Sequence, residues 1–456
     1  MTSVQEASYQ GFRGKRLALV ESMLHSVFYD EIAAARRHGL RVHLLIKDRE
    51  WYAADEKAWQ GHPLTQVDEL TFADTHSAEA VRRALTDAHG RPRVDGITTF
   101  SDYHTEVAAQ VAEELGLPGP GATAIATANH KPSLRAALGD SRYNIPYALV
   151  THPGELAGAA ARIGYPMVLK PPHEAISYGV VRVDDPAELA AAYDQVAAIR
   201  HSLRGQPRPG HVLMERYVDA PEVSVESLTV EGRTHVYGIT AKYLCPPPTF
   251  LEAAHSFPAA LGPGVRAEVE QAVAEVLELI GYRQGPCHTE VKITAQGPKI
   301  VEVNPRLPAG CLTTMVRDVC GSNPHLDAKL LAVGGRPALP TGRRHGGAAV
   351  VMLYPPPGPA VLDAVDGVAD AERLPGVTVS LFARPGEHLW HRIDNSGRVG
   401  LVYATADTAQ AALDTATGAA ALVRIKVASD EAALPPDAAG PAFPAIDDTD
   451  GSRQPR

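Results

Sequence analysis

Apolar and polar residues alternate along this chain with two periods, and the places where the period changes divide it into regions. Arg16–Val20, Arg41–Ile46 and Gly96–Phe100 are short apolar runs that read as buried strands. Helical spacing fills about Ser26–His38, closed by Gly39, and about Thr105–Leu115, closed by Gly116. Strands alternating with helices predict a parallel sheet covered by helices. The Leu-Pro-Gly-Pro-Gly run at 117–121 turns the chain away, a second helix carries Lys131 near its start, and a new strand begins after Asn144. From about Ala148 to Leu228 short strands surround one helix, Pro186–Ile199, as in a small α+β unit. The region 264–281 is the clearest helix, with Val265, Val269, Val273, Val276, Leu277 and Ile280 in one stripe and Gly281 as its stop. A further helix is expected over Ser322–Val333, and residues 347–427 carry more strands and an Ala-rich helix, Thr408–Ala420.

The strongest strand signal lies between His288 and Arg306, where polar and apolar residues alternate on both sides of a Gly297-Pro298 turn. Side chains on a strand repeat every two residues, so His288, Glu290 and Lys292 share one face, and Glu302, Asn304 and Arg306 share another. The two faces coincide only if the connecting loop has an odd number of residues. A three-residue loop through Gln296 and Gly297 would set Glu290 opposite Glu302 or Asn304. Two carboxylates about 5 Å apart repel by roughly 3 kcal/mol at an effective dielectric near 20, and a hard cation reverses that sign. Two carboxylates and an amide carbonyl suit Mg²⁺ bridging to phosphate oxygens.

Composition narrows the setting. At 456 residues the chain is expected to fold as two or three packed domains, and 45% apolar with 21% charged residues is a globular balance. A net charge of −10 with no cluster of basic and aromatic residues argues against a nucleic-acid partner. The start of the chain has no apolar signal region and no run of about eighteen apolar residues occurs, so a cytoplasmic protein without a membrane span is expected. Cys245, Cys287, Cys311 and Cys320 form no C-x-x-C pair and are read as reduced thiols, each a small buried hydrophobe. The stretch after about 434 is rich in Pro, Asp and Gly and is expected to be disordered.

Two further segments carry chemistry. Gly164 to Lys170 ends an apolar strand in a lysine, and the loop from His173 to Gly179, with Ser177 and Gly179 at its end, can present backbone N–H groups to phosphates. Met214-Glu215-Arg-Tyr217-Val218 is a strand running into an aromatic–aliphatic pair, with Glu222 seven residues after Glu215. The backbone near Tyr217 and Val218 can pair with an adenine edge, and Glu222 can accept from ribose hydroxyls. Each signal alone also fits a solvated strand end.

Taken in order, Lys131, Lys170, the Glu-x-x-Val-x-x-x-Glu segment and the Glu…Glu-x-Asn-x-Arg hairpin resemble the ATP-grasp superfamily over about residues 16–425. The resemblance implies an α/β preATP-grasp domain with a parallel sheet (1–120) and a linker helix region (121–148). It then implies two α+β ATP-grasp subdomains (149–222 and 223–345), a C-terminal subdomain completing the large lobe (346–430) and a tail (431–456). It implies ATP as cofactor, with Lys131, Lys170, Ser177, Gly179, Glu215, Tyr217, Val218 and Glu222 around the nucleotide. Glu290, Glu302 and Asn304 would hold Mg²⁺, two ions in all, with Mn²⁺ as a substitute, and Arg306 with Lys170 would be catalytic. The phosphate loop His-Glu-Ala-Ile-Ser-Tyr-Gly departs from the glycine-rich form common in the superfamily. Lys242 and the Glu252-x-x-His255-x-x-Pro258 segment, with Arg306 to Gly310, look like the L-amino acid ligase branch, in which they would border the substrate pockets. Pro246 to Pro248 would stiffen a loop there, and Ala309 replaces a glycine of that branch. The expected activity is an ADP-forming carboxylate–amine ligase acting on small-molecule amino acids through an acyl phosphate, as in natural-product biosynthesis; homodimers are common in such enzymes. A bicarbonate-using ATP-grasp carboxylase and a non-catalytic ATP sensor are the alternatives.

Overall fold

The structure, a computed structural model, describes residues 7–21, 27–52, 62–245, 250–340, 345–356, 358, 360–389 and 395–429. The expected tail and the Pro246–Pro248 loop lie outside them. Four strands, β1 (Arg16–Val20), β2 (Arg41–Ile46), β3 (Glu69–Phe72) and β4 (Gly96–Thr98), form a parallel sheet in the order β3-β2-β1-β4. Leu17, Ala18, Leu19 and Val20 are all buried, the unbroken apolar run of a strand covered on both faces. The expected helices occur as Val27–Arg37 and Thr105–Glu114, and a further one, Ala78–Ala84, was not apparent from periodicity.

The next region begins with a helix, Lys131–Leu138, and continues as an antiparallel sheet of β5 (Tyr147–Val150), β6 (Met167–Lys170), β7 (Val181–Val183) and β8 (Val212–Arg216), ordered β5-β8-β6-β7. Helices Leu156–Ile163 and Leu189–Ala197 pack on it around Met167, Leu169, Val212 and Met214. The helix expected over 186–199 is thus shorter, because Asp185, Pro186 and Glu188 build its entry turn.

The largest sheet holds eight strands: β9 (Glu222–Val230), β10 (Arg233–Leu244), β11 (Glu252–Phe257), β12 (Gly285–Thr294), β13 (Gly297–Asn304), β14 (Gly347–Leu353), β16 (Val377–Leu381) and β18 (Gly400–Ala406). Their order is β13-β12-β9-β10-β11-β14-β18-β16. β15 (Ala360–Asp366), β17 (His388–Leu389) and β19 (Arg424–Ser429) form a small sheet beside it. Helix Pro263–Leu279 lays Val269, Val273, Val276 and Leu277 on the large sheet against Val291, Ile300 and Val303. Helix Ala409–Leu422 does the same for β14 and β18 with Ala412 and Ala416, whose small side chains let the backbones approach. Helix Leu312–Cys320, which sequence periodicity did not single out, follows the hairpin.

One helix, Pro324–Ala332, joins the parallel-sheet domain to the large sheet. Its C-terminal end abuts β4 so closely that a Cβ on Gly96 would sit 1.9 Å from the Ala332 carbonyl oxygen. Its Asp327 accepts from Tyr9 Oη and Tyr237 Oη, both at 2.9 Å, one from each domain. Burial drives the Asp327 carboxyl up to about 7, against the two tyrosine hydrogen bonds that favour its charge. No helix among the described residues is long and apolar enough to cross a membrane.

Two outcomes follow from this packing. Leu277→Ala should lower stability by about 2–5 kcal/mol through the cavity it leaves, measured as a fall in the urea midpoint; an unchanged midpoint would place Leu277 outside the core. Asp327 holds its proton longer folded than unfolded, so the folded chain binds more protons between the ordinary aspartate range and about 7. Stability should therefore decline as pH rises through that window, and Asp327→Asn should flatten the decline in urea titrations from pH 4 to 8.

Candidate active site

The hairpin of β12 and β13 decides the geometry. Thr294 pairs with Gly297 across a two-residue turn, Ala295-Gln296, and Val291 pairs with Ile300. Continued regularly, that register would set Val301 opposite Glu290 and turn Glu302 to the core. It does not continue. Val301 is an extra residue, a β-bulge, after which Glu290 pairs with Glu302 and His288 with Asn304. The expected three-residue loop is therefore corrected: the turn is even, and the bulge supplies the missing step. Ile300 and Val303 can both be buried, at 0% and 1% exposure, while Glu302 and Asn304 face the cleft with Glu290.

Cations crowd these carboxylates. Lys131 Nζ lies 3.2 Å from Glu302 Oε1 and donates to the Glu174 carbonyl at 2.6 Å. Lys242 Nζ touches Glu290 at 2.7 Å, Glu222 at 2.9 Å and Glu252 at 3.2 Å. Although burial alone would lower it, these carboxylates hold the Lys242 ammonium well above its ordinary range. Burial would likewise raise Glu290, but Lys242 and then His288 hold it far below the usual carboxylate range. His288 sits between Glu226 at 2.9 Å and Glu290 at 3.4 Å; despite the opposing effect of burial, Glu226 and Glu290 lift it to about 9. Glu222 also pairs with Lys292 at 3.2 Å. Among the described residues no three acidic, His or Cys side chains form a metal cage. Glu290, Glu302 and Asn304 are instead a partial set of hard oxygen donors already balanced by two ammonium groups. They fit a divalent ion that completes its shell from phosphate oxygens and water.

At the other end of the cleft, Lys170 Nζ and Arg135 Nε each lie 2.6 Å from the buried Glu215 carboxylate. Burial raises the Glu215 pKa, but Arg135 and Lys170 outweigh it and hold the group at about 2. Burial is also the larger influence on Lys170, whose ammonium is pushed below its ordinary range despite Glu215. The Glu215 carboxylate is thus committed to two cations. Tyr217 donates its N–H to the Pro166 carbonyl at 3.0 Å and carries Arg182 over its ring, and Val218 borders the same cleft.

The loop over the cleft is glycine-poor yet strongly bent: Ile176, Ser177 and Gly179 all take left-handed φ, at 55°, 63° and 71°. Two of the three carry side chains that disfavour that region, and tethers hold them there. Asn395 donates its backbone N–H to the Ile176 carbonyl at 3.1 Å and its side chain reaches Ser177 Oγ at 3.4 Å. Arg208 and Tyr103 fix Glu174 at the loop's start, both at 3.1 Å.

Beyond the hairpin, Arg306 Nε is bound by Asp102 of the parallel-sheet domain at 2.5 Å. Glu252 meets Arg398 at 2.5 Å and His255 Nε2 at 3.4 Å, and His255 Nδ1 is buried with no hydrogen-bond partner among the described residues. Gly310 and Cys311 both take φ +66° just before helix Leu312–Cys320.

All the site residues singled out from sequence except Gly179 line one cleft; Gly179 sits instead against Pro171 and Ile199. Those that sequence reasoning missed are Arg135, Asp102, Glu174, Asn395 and Arg398. Only Arg135 had a local signal: it stands four positions after Lys131 on one helix and so shares its face.

Residues 163–315 match the ATP-grasp domain, 32–119 the ATP-grasp N-terminal domain and 351–428 the L-amino acid ligase C-terminal domain 2. The chain thus carries an ATP-grasp domain behind an ATP-grasp N-terminal domain. It is 29% identical over 386 residues to an uncharacterized protein, y4rH, of Sinorhizobium fredii, covering 84% of this chain and 77% of that one. It is 28% identical over 325 residues to carnosine synthase 1 of Gallus gallus, covering 68% of this chain but spanning only 34% of that protein. The crystal structure of an L-amino acid ligase from Bacillus licheniformis superposes with a TM-score of 0.76 at 24% identity, covering 91% of this chain and 100% of that chain. ATP-grasp ligases therefore share this fold.

Lys242→Met should leave buried carboxylates uncompensated and lower stability by about 3–5 kcal/mol, read from the urea midpoint. No change would show that water, not Lys242, balances them.

Proposed function

We propose that this protein is an ATP-dependent carboxylate–amine ligase, joining the carboxylate of one amino acid to the amine of a second with release of ADP and phosphate. The facing pair Glu290–Glu302, with Asn304 beside it, carries the reading: it lines the same cleft as Lys170 and Glu215 and as the charged group Glu252, His255 and Arg398. The match of residues 351–428 to an L-amino acid ligase C-terminal domain favours an amine acceptor over bicarbonate.

Glu290, Glu302 and Asn304 would hold Mg²⁺, which neutralises phosphate charge as the γ-phosphoryl group leaves. Val218 and the main chain around Tyr217 border the adenine, while Lys131 and Lys170 stand near the phosphates. Because Glu222 is bound by two lysines, its contact with ribose would share the carboxylate with them. Loop 173–179 covers the phosphates and excludes water. Arg306, oriented by Asp102, offsets charge on the phosphoryl group as it passes to the carboxylate oxygen, and Glu252, His255 and Gly310 border the amino-acid pocket. The amine then displaces phosphate from the acyl phosphate. The chain would work mainly by positioning and fixed charge, as phosphoryl transfer requires.

A phosphate-release screen across pairs of amino acids should show one ADP per amide formed, dependent on both partners. AMP with pyrophosphate, or turnover that needs bicarbonate and no amine, would overturn the assignment. Glu302→Ala should reduce turnover by a factor of about 10²–10³ while the far-UV circular dichroism is unchanged.

A further inference from the structure

The bulge at Val301 is what turns Glu302 into the cleft, and a bulge leaves main-chain carbonyls without ladder partners. β13 is the edge strand of its sheet, so no further strand can satisfy them. One side chain does. Arg135 Nη1 donates to the Ile300 carbonyl at 2.8 Å and Nη2 to the Val301 carbonyl at 2.7 Å, while Nε holds Glu215 at 2.6 Å. The guanidinium is 1% exposed. Its planar fork matches two successive carbonyls that both point away from the strand, a shape a lysine ammonium cannot reproduce. The same helix begins at Lys131, whose ammonium lies on Glu302, and the Ile300 N–H is held by the Tyr143 carbonyl at 2.9 Å just after that helix.

We propose that Arg135 is a positioning residue for the metal site: by clamping the bulge it fixes the register that brings Glu302 opposite Glu290, and through Glu215 it ties that register to the nucleotide end of the cleft. The inference rests on the metal role given above to Glu290, Glu302 and Asn304. Without the fork, a buried carbonyl at Ile300 and a part-buried one at Val301 lose their partner, and the hairpin relaxes toward the regular register in which Val301, not Glu302, faces Glu290.

The parity argument supplies its own test. Deleting Val301 removes the extra residue but leaves Ile300 opposite Val291 and Glu302 opposite Glu290, in a ladder with no bulge to clamp. Mn²⁺ is titrated into the protein saturated with a non-hydrolysable ATP analogue, and free Mn²⁺ is followed by electron paramagnetic resonance. Arg135→Met should weaken Mn²⁺ binding by about 10–100-fold, the range for residues that orient metal ligands from behind. Deleting Val301 in the Arg135→Met background should bring binding back to within about threefold of the unsubstituted protein, a recovery that loss of a merely structural contact would not show.

Unaltered Mn²⁺ binding in Arg135→Met would overturn the proposal, and so would a double variant as weak as the single one. Should Arg135→Met not fold, Arg135→Lys, whose one ammonium cannot span both carbonyls, carries the same comparison with and without Val301. A failure of the metal assignment itself is separate: then the unsubstituted protein binds no Mn²⁺ with the analogue, or Glu302→Ala binds it equally well.

Discussion

Two carboxylates held face to face across neighbouring strands are the constraint on which this molecule turns. Glu290 and Glu302 repel, and they are brought together only because the hairpin's apolar residues must reach the core at the same time. Ile300 and Val303 are three apart, an odd spacing that no regular strand can bury on one side. The bulge at Val301 reconciles core and cleft in one step.

Holding such a pair requires charge of the other sign from several parts of the chain. Lys131 and Arg135 come from one helix, Lys131–Leu138, beside the bulge, and Lys242 comes from the middle of the large sheet. Buried ion networks of this kind seldom add much stability over apolar packing, since each charge must first leave water. Their advantage here is preorganisation. The cleft stands with its charges fixed, its covering loop tethered by Asn395 and Arg208, and Arg306 oriented by Asp102 from another domain. A nucleotide carrying a divalent ion would replace lysine–carboxylate pairs with metal–carboxylate and lysine–phosphate pairs, so the exchange needs no large rearrangement of the sheet.

Local pattern made most of this legible. The parallel-sheet domain followed from buried apolar runs alternating with helices, helix Pro263–Leu279 from its valine stripe, and the shared face of Glu302 and Asn304 from strand periodicity. Helix boundaries moved by one to three positions, where entry turns such as Asp185-Pro186 took the first residues. Alternation outward from the Gly-Pro pair predicts an odd loop, whereas the turn is even and Val301 supplies the extra step. The odd spacing of Ile300 and Val303 contained the clue to a bulge. Asp102, Asn395 and Arg398 were not readable at all: each reaches the cleft from far along the chain, and nothing near it in sequence marks its partner.

The most direct check is crystallographic: crystals grown with a non-hydrolysable ATP analogue and Mn²⁺, with anomalous differences collected near the manganese edge. Manganese peaks should lie between Glu290, Glu302 and Asn304 and the terminal phosphates, with Lys131 and Lys242 drawn off the carboxylates they now hold. Density placing manganese elsewhere, with both lysine–glutamate pairs intact beneath the bound nucleotide, would contradict the reading of this cleft as a ligase site.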